Sequence, residues 1–314
     1  MVVTSKEEDF TNQNAEVHHE LELSVSGLVK GLYKTREYFK EVDVVHVPVN
    51  IKQLMFVRLI YNGSLVAGPG IQHELYSRTL AKRLNIDKMV ETHEYISYLW
   101  RKSGVDSTYI YPTIDEDIFY PFGREELREA REEVGVSEKD TVLLFVGKLN
   151  KFKGAHLFYQ LVKEHYSGGD ITPVVAGNGP LREKFEEDGD FLYAGFVDNE
   201  NLPIYYNIAD ITIVPSKHES FSIVSLESIA CGTPVITTTS DSCDMSRIFQ
   251  DTGAYTWTEE RSPESINSEI DNLTSNKSKY RQKVKKGFKT IQNKELTISH
   301  VIKNYIDIYK EVSE

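Results

Sequence analysis

The stretch ITIVPSKHESFSIVSLESIACGTPVIT, residues 211–237, decides the fold. Its apolar lead, Ile211–Val214, reads as a buried strand that ends at Pro215. A polar loop, Ser216–Ser220, follows, and helical spacing runs from about Ser222 to Ala230. Gly232 and Pro234 stop that helix, because glycine supplies a left-handed turn and proline cannot continue the helical ladder. A second apolar strand, Val235-Ile236-Thr237, begins at once. Strand, loop, helix, strand is a βαβ unit, and its loop lies at the carboxyl end of a strand, where open α/β sheets bind ligands. Two acidic residues bracket that loop: Glu219 inside it and Glu227 on the helix.

Working outward, the same alternation repeats. Upstream, Thr141–Val146, Ile171–Ala176 and Phe191–Phe196 read as strands, separated by helical patterns at His156–Glu164 and Leu181–Glu187, with Asn201–Ile208 helical after them. The first half is built alike: Asp43–Val49 and Leu65–Ala67 are apolar strands, Lys88–Thr92 and Thr108–Tyr111 further ones. Leu54–Tyr61, His73–Leu84 and Glu94–Ser103 have helical spacing between them, and the tail Ser278–Val312 is helix-rich. A charged segment around Asp115–Glu133 separates the two alternations. This pattern predicts an α/β protein of two doubly wound domains.

The totals agree with that reading and exclude others. The chain has 314 residues, long enough for two ordinary domains. A formal net charge of −12 argues against general binding to nucleic-acid phosphates. The two cysteines, Cys231 and Cys243, are too few for a disulfide framework or a structural zinc site, which fits a reducing, cytoplasmic compartment. The most apolar long window, Leu54–Ile71, is broken by Arg58, Asn62 and Gly63, so no membrane span is read, and the N-terminus shows no signal pattern.

Four collinear segments then carry a family resemblance: VGKLNKFKG (146–154), GNGP (177–180), GFVDNENLPIYYNIADITIVPS (195–216) and ESFSIVSLESIACGTPVI (219–236). In order and spacing they resemble the C-terminal domain of the family 4 glycosyltransferases, which are retaining enzymes of GT-B fold. The segment TYIYPTIDEDIFYP (108–121) resembles the family's exit from its N-terminal domain, with one residue fewer and without the usual Asn-Gly. The resemblance implies a Rossmann-like acceptor-side domain over 1–122, a nucleotide-sugar domain over 123–295, and a closing helix, 296–314, packed back on the first domain. It further implies that MVVTS corresponds to the end of the family's second strand, so that the first βα unit, with its glycine-rich loop, is missing.

The chemistry follows from what such a donor needs. A nucleoside diphosphate leaves as the glycosidic bond breaks, and its charge must be met by a metal or by fixed cations and amides. The resemblance makes Lys148 and Lys153 that clamp and implies no metal and no cofactor; Lys148 stands where the family usually has Arg, and loses the bidentate fork. Read alone, the loop is an ordinary solvated basic loop. The helix after Ser222 offers free N–H groups and a positive dipole end, with Ser222 and Ile223 as backbone donors, while Ser220 or Ser222 also suits a simple N-cap. By resemblance Glu219 meets the transferred sugar, Ser220 and Phe221 line it, Glu227 accepts from the ribose hydroxyls, and Gly147 and Val197 face the nucleotide. Glu227 in isolation reads as an exposed helix residue at the margin of the apolar face formed by Ser222, Ile223, Leu226 and Ile229. Gly177 and Gly179 read first as a turn and second as a close approach to the nucleotide. On the acceptor side His73 is the candidate, with His46 and His93 as rivals. Asp115–Asp117 resembles a metal motif but has no companion ligands and reads as solvated charge.

The expected function is transfer of a sugar from a nucleoside-diphosphate sugar to a glycan, lipid-linked or small-molecule hydroxyl, with retention by front-face substitution. The alternative is a non-catalytic GT-B-like subunit that needs a partner, homo- or hetero-oligomeric, to complete its N-terminal domain. The cationic stripe on Leu28–Phe39 reads as an ordinary amphipathic helix or as a peripheral contact with an anionic membrane. An epimerase on the same fold is a weaker rival, and a dehydrogenase weaker still, since no G-x-G-x-x-G follows a strand near either domain start.

Overall fold

A computed structural model describes residues 2–4, 39–40, 42–48, 51–70, 75–169, 171–238, 243–275 and 277–314. The segment Val17–Leu23, whose polar–apolar alternation reads as an edge strand, nearly all of the Leu28–Phe39 stripe, and His73 lie outside the described residues. The chain divides into two compact units, Met1–Tyr111 with Ser299–Glu314, and Pro112–Ile298.

The first unit holds a five-stranded sheet in sequential order: β1 (Val2–Thr4), β2 (Val44–Val47), β3 (Ser64–Ala67), β4 (Lys88–Glu91) and β5 (Ser107–Tyr109). β2 to β5 are parallel, and only the edge strand β1 runs antiparallel, pairing Val3 with Val45. The crossovers are α1 (Ile51–Ile60), α2 (Leu75–Arg83) and α3 (Glu94–Lys102). The β2–β4 strands are buried on both faces because both are covered, as a parallel sheet requires. Val45, Val47, Leu65, Ala67 and Met89 pack on the helix side with Leu54, Val57 and Trp100. Their alternates Val44, Val66 and Val90 pack with Ile308 and Tyr309 from the C-terminal helix of the chain. Polar groups on that second face are tied to the same helix: Lys88 Nζ lies 2.6 Å from Glu311, and His46 Nδ1 2.8 Å from the Tyr309 hydroxyl.

The second unit begins with α4 (Arg124–Val134), whose final turn is closed by left-handed Gly135. Its sheet comprises β6 (Thr141–Val146), β7 (Ile171–Ala176), β8 (Leu192–Gly195), β9 (Ile211–Val214), β10 (Val235–Thr237) and β11 (Tyr255–Trp257). The spatial order β11-β10-β9-β6-β7-β8 is parallel throughout. The helices are α5 (Ala155–His165), α6 (Arg182–Glu186), α7 (Leu202–Ile208), α8 (Ile223–Ala230), α9 (Asp244–Phe249), α10 (Pro263–Thr274), α11 (Lys277–Asn293) and, closing the chain in the first unit, α12 (Ile298–Ser313). Leu143, Phe145, Phe158, Val175, Ile213 and Ile270 centre the core under α5 and α10. The strand order reverses between β6 and β9, so the loops after these two strands diverge and open a crevice at their carboxyl ends. This is the doubly wound order of a Rossmann domain, and both units are Rossmann-like α/β parts. No described helix is long and apolar enough to cross a membrane.

Candidate functional site

The residues read from the sequence collect on the second unit, around the β6/β9 switch point. β6 ends at Val146, and the chain turns outward at Gly147, whose N–H donates to Ala176 O over 3.0 Å. One strand further, Gly177 N donates to Gly195 O over 2.6 Å. Gly177 has φ +148°, and a Cβ there would stand 1.9 Å from Gly147 O, so these two turns touch backbone to backbone. The glycine is therefore required by the contact as well as by its backbone angle. Leu149 N then donates to Asn178 O over 2.9 Å, and Gly179 lies against Leu149. These ends enclose a cavity of about 290 Å³ whose lining includes Gly147, Lys148, Gly177, Asn178, Phe196 and Val197. Phe196 projects its ring from the rim, 74% exposed.

The same loop reaches the switch point at its far end. Gly154 (φ +78°) presses on the β9 end, where a Cβ would stand 1.9 Å from Pro215 O, and Lys217 N donates to Phe152 O over 2.8 Å. The loop thereby delivers Lys153 to Glu219: Nζ and Oε1 are 2.7 Å apart, and Ser216 Oγ donates to the same oxygen over 2.7 Å. The glutamate side chain is only 11% exposed and the lysine 38%. Two residues expected to meet phosphate and sugar are thus joined to each other.

Ser222 does cap α8: its hydroxyl accepts from Ser225 N at 3.3 Å. Among the described residues no acceptor engages the N–H groups of Ile223 and Val224, which open the helix. Ile223 differs from the expected apolar face, since its side chain is 48% exposed while Leu226 and Ile229 are buried. Phe221 is buried and Ser220 exposed, its carbonyl accepting from Asp244 N.

Glu227 corrects the isolated reading of an exposed helix residue. It is 7% exposed, and the buried Tyr206 hydroxyl of α7 donates to its Oε2 over 2.7 Å. Loss of hydration raises its carboxyl to about 7, with the Tyr206 bond opposing part of that rise. Burial and the neighbouring carboxylate raise the Tyr206 phenol far above its ordinary value. Tyr206 was missed because one of two adjacent tyrosines inside IYYNI reads as core; the signal lies in α7 packing on α8. Arg261 was also missed, and its guanidinium bonds both switch-point loops through Pro215 O and Lys151 O. Of the rival histidines, His46 is buried, with Nε2 2.6 Å from Gly68 O and Nδ1 on Tyr309, so it serves as a core residue of its unit. Among the described residues no group of three His, Cys, Asp or Glu is arranged to hold a metal ion.

Two Rossmann-like α/β parts, the second carrying a cationic loop and a helix N-terminus at its switch point, define the GT-B class. The chain belongs to the glycosyl transferases group 1 family, whose model matches residues 127–290. An uncharacterized glycosyltransferase of Methanocaldococcus jannaschii is 26% identical over 197 residues, which are 60% of this chain and 50% of that protein. A D-inositol 3-phosphate glycosyltransferase of Corynebacterium jeikeium is 30% identical over 203 residues, 57% of this chain and 48% of that protein. The chain therefore spans about half the length of these relatives. In fold it resembles Anabaena HepE, solved in complex with UDP, with a TM-score of 0.73 at 14% identity, covering 91% of this chain and 82% of that one.

Proposed function

We propose that this protein transfers a sugar from a nucleoside-diphosphate sugar to an acceptor hydroxyl, with retention of configuration and without a metal. The observation that carries the reading is the Lys153–Glu219 pair, held at 2.7 Å across the two switch-point loops beside the open end of α8. In the proposed reaction the glycosidic carbon–oxygen bond to the diphosphate breaks while the acceptor oxygen attacks the same face, its proton passing to the departing phosphate oxygen. Lys148, Lys153 and the N–H groups of Ile223 and Val224 take up the charge on the departing diphosphate, the role that preorganised donors play wherever negative charge develops. Glu219 orients the sugar through its hydroxyls. Glu227 accepts from the ribose hydroxyls, and the cavity lined by Gly147, Gly177 and Val197 takes the base. The likeness to a protein solved with UDP supports a uridine nucleotide as the first candidate.

The test is a panel of UDP-, GDP- and ADP-sugars with the purified chain. A donor at 100 times its dissociation constant stabilises the fold by about 2.7 kcal/mol, which thermal unfolding reads directly. Release of nucleoside diphosphate on adding an acceptor, and the anomeric configuration of the product by NMR, test transfer and retention. A chain that binds none of the panel would defeat the reading.

A further inference from the structure

Arg261 stands outside every motif that located the site, in the turn between β11 and α10. Thr258 Oγ1 donates to Glu260 O over 2.6 Å, and Ser262 caps α10 through Ser265 N, so both sides of the residue are anchored. From there its guanidinium donates through Nε to Pro215 O (3.2 Å) and through one Nη to Lys151 O (3.3 Å). One carbonyl belongs to the loop after β9 and the other to the loop after β6. Arg261 is thus a third element spanning the two loops that carry Glu219 and Lys153.

Three other links hold these loops together: the Lys217–Phe152 backbone bond, the Gly154–Pro215 contact and the Lys153–Glu219 pair. The last is the one that an arriving diphosphate must weaken, because it competes for the same ammonium group. With that pair broken, the backbone bond, the glycine contact and the Arg261 bridge are what keep the two loops seated on each other, and Arg261 is the side-chain bridge among them. The planar guanidinium fork suits this role, since it reaches two carbonyls at once, whereas an ammonium on a flexible stem does not hold that geometry.

Resting on the donor-site reading above, we propose that Arg261 is a positioning residue for donor binding: it keeps the loop bearing Lys153 seated on the loop bearing Glu219 while the diphosphate displaces their ion pair. The role concerns the phosphate end of the ligand and not the base, whose cavity is lined at the β6–β8 ends by other residues.

The experiment uses the full chain with Arg261→Ala, Arg261→Gln and Arg261→Lys. Calorimetry compares UDP with uridine, and GDP and ADP with their nucleosides. Amide hydrogen exchange in the ligand-free protein follows the Lys217 N–H, which donates to Phe152 O across the loops. The expected results are a roughly tenfold or larger loss of diphosphate affinity in Arg261→Ala, nucleoside affinity unchanged within about twofold, and Lys217 exchange faster by roughly tenfold. Arg261→Lys should recover only part of the loss and Arg261→Gln little of it. Equal losses for diphosphate and nucleoside would mean general damage and overturn the proposal, as would unchanged Lys217 exchange. If the wild type binds no nucleoside diphosphate, the donor-site reading itself fails, and the exchange measurement alone decides whether Arg261 couples the loops.

Discussion

Lys153 and Glu219 stand 66 positions apart in the chain, yet their charged atoms lie 2.7 Å apart, with Ser216 completing the carboxylate's bonds. The pair holds the Lys153 ammonium against the Glu219 carboxylate. Its two members therefore respond differently to substitution. Glu219→Gln keeps a neutral acceptor for Ser216 but frees Lys153, so a nucleoside diphosphate without its sugar should bind two- to tenfold more tightly, by roughly 0.4–1.4 kcal/mol. Turnover of the sugar donor should fall in the same variant, because the sugar hydroxyls lose their ionised acceptor. Calorimetry with the diphosphate beside a release assay with the donor reads both; weaker diphosphate binding would count against the arrangement.

Lys153→Ala should behave in the opposite way. It removes positive charge where the leaving group departs, and loss of one such donor typically lowers kcat by about a hundredfold or more. Diphosphate affinity should fall as well. An initial-rate assay of diphosphate release measures the effect, and a rate within about threefold of wild type would refute the role given to Lys153.

Glu227 gives a prediction with a definite sign. Its carboxyl titrates near 7 in the folded protein against 4.5 for the ordinary group. Between those values the folded state holds more protons than the unfolded one, so this group's contribution to stability falls as pH rises from about 4.5 to about 7 and is level beyond. Glu227→Gln keeps an acceptor for the Tyr206 hydroxyl and removes the cost of burying a charge. It should therefore be more stable than wild type at pH 8, by on the order of 2–3 kcal/mol at most, and similar at pH 4. Nucleotide affinity should weaken in the variant and lose the dependence near pH 7 expected of the wild type. Urea unfolding at the two pH values, with titrations of nucleotide binding, checks both parts.

What was legible in the sequence follows the range of the interactions. Ile211–Val214 and Val235–Thr237 were readable because parallel strands buried on both faces are uninterrupted apolar runs. Ser222 was readable as a cap because its bond to Ser225 spans only three residues. The resemblance named Lys153 and Glu219 separately, one for the diphosphate and one for the sugar, but their pairing was not legible because 66 positions separate them. Burial of Glu227 and the two-loop reach of Arg261 left no local trace, since their partners Tyr206, Pro215 and Lys151 are 21, 46 and 110 positions away. The strand at the chain's start was legible as a strand end in MVVTS, but its antiparallel pairing was not, since three residues carry no signal for direction.

Gly177 tests the close approach of the β6 and β7 turns. An alanine there places a methyl 1.9 Å from Gly147 O on a backbone with φ +148°, so the two turns must separate. Gly177→Ala should cost roughly 2–4 kcal/mol or prevent folding. Gly189→Ala, in open space without a positive φ, should change stability by no more than about 0.5 kcal/mol. Paired denaturation curves make the comparison, and equal midpoints would refute the required contact.

The last prediction concerns the return of α12 to the first unit. His46 Nε2 lies 2.6 Å from Gly68 O and must carry the proton there, which leaves Nδ1 to accept from the Tyr309 hydroxyl at 2.8 Å. Burial lowers the imidazole below its ordinary value, so it is neutral in the fold. Tyr309→Phe removes the only donor recorded for Nδ1 among the described residues and should cost about 1–3 kcal/mol, the usual penalty for an unmet buried acceptor. The sign with pH also follows. Below 6.5 the unfolded histidine takes up a proton that the folded one resists, so His46's share of stability is lost as pH falls from 6.5 toward its lowered folded value. His46→Asn should be less stable than wild type at pH 7.5, and the gap should narrow by pH 5.5. Chemical denaturation of the three proteins at both pH values measures it; a gap that widens on acidification would show that His46 is charged in the fold.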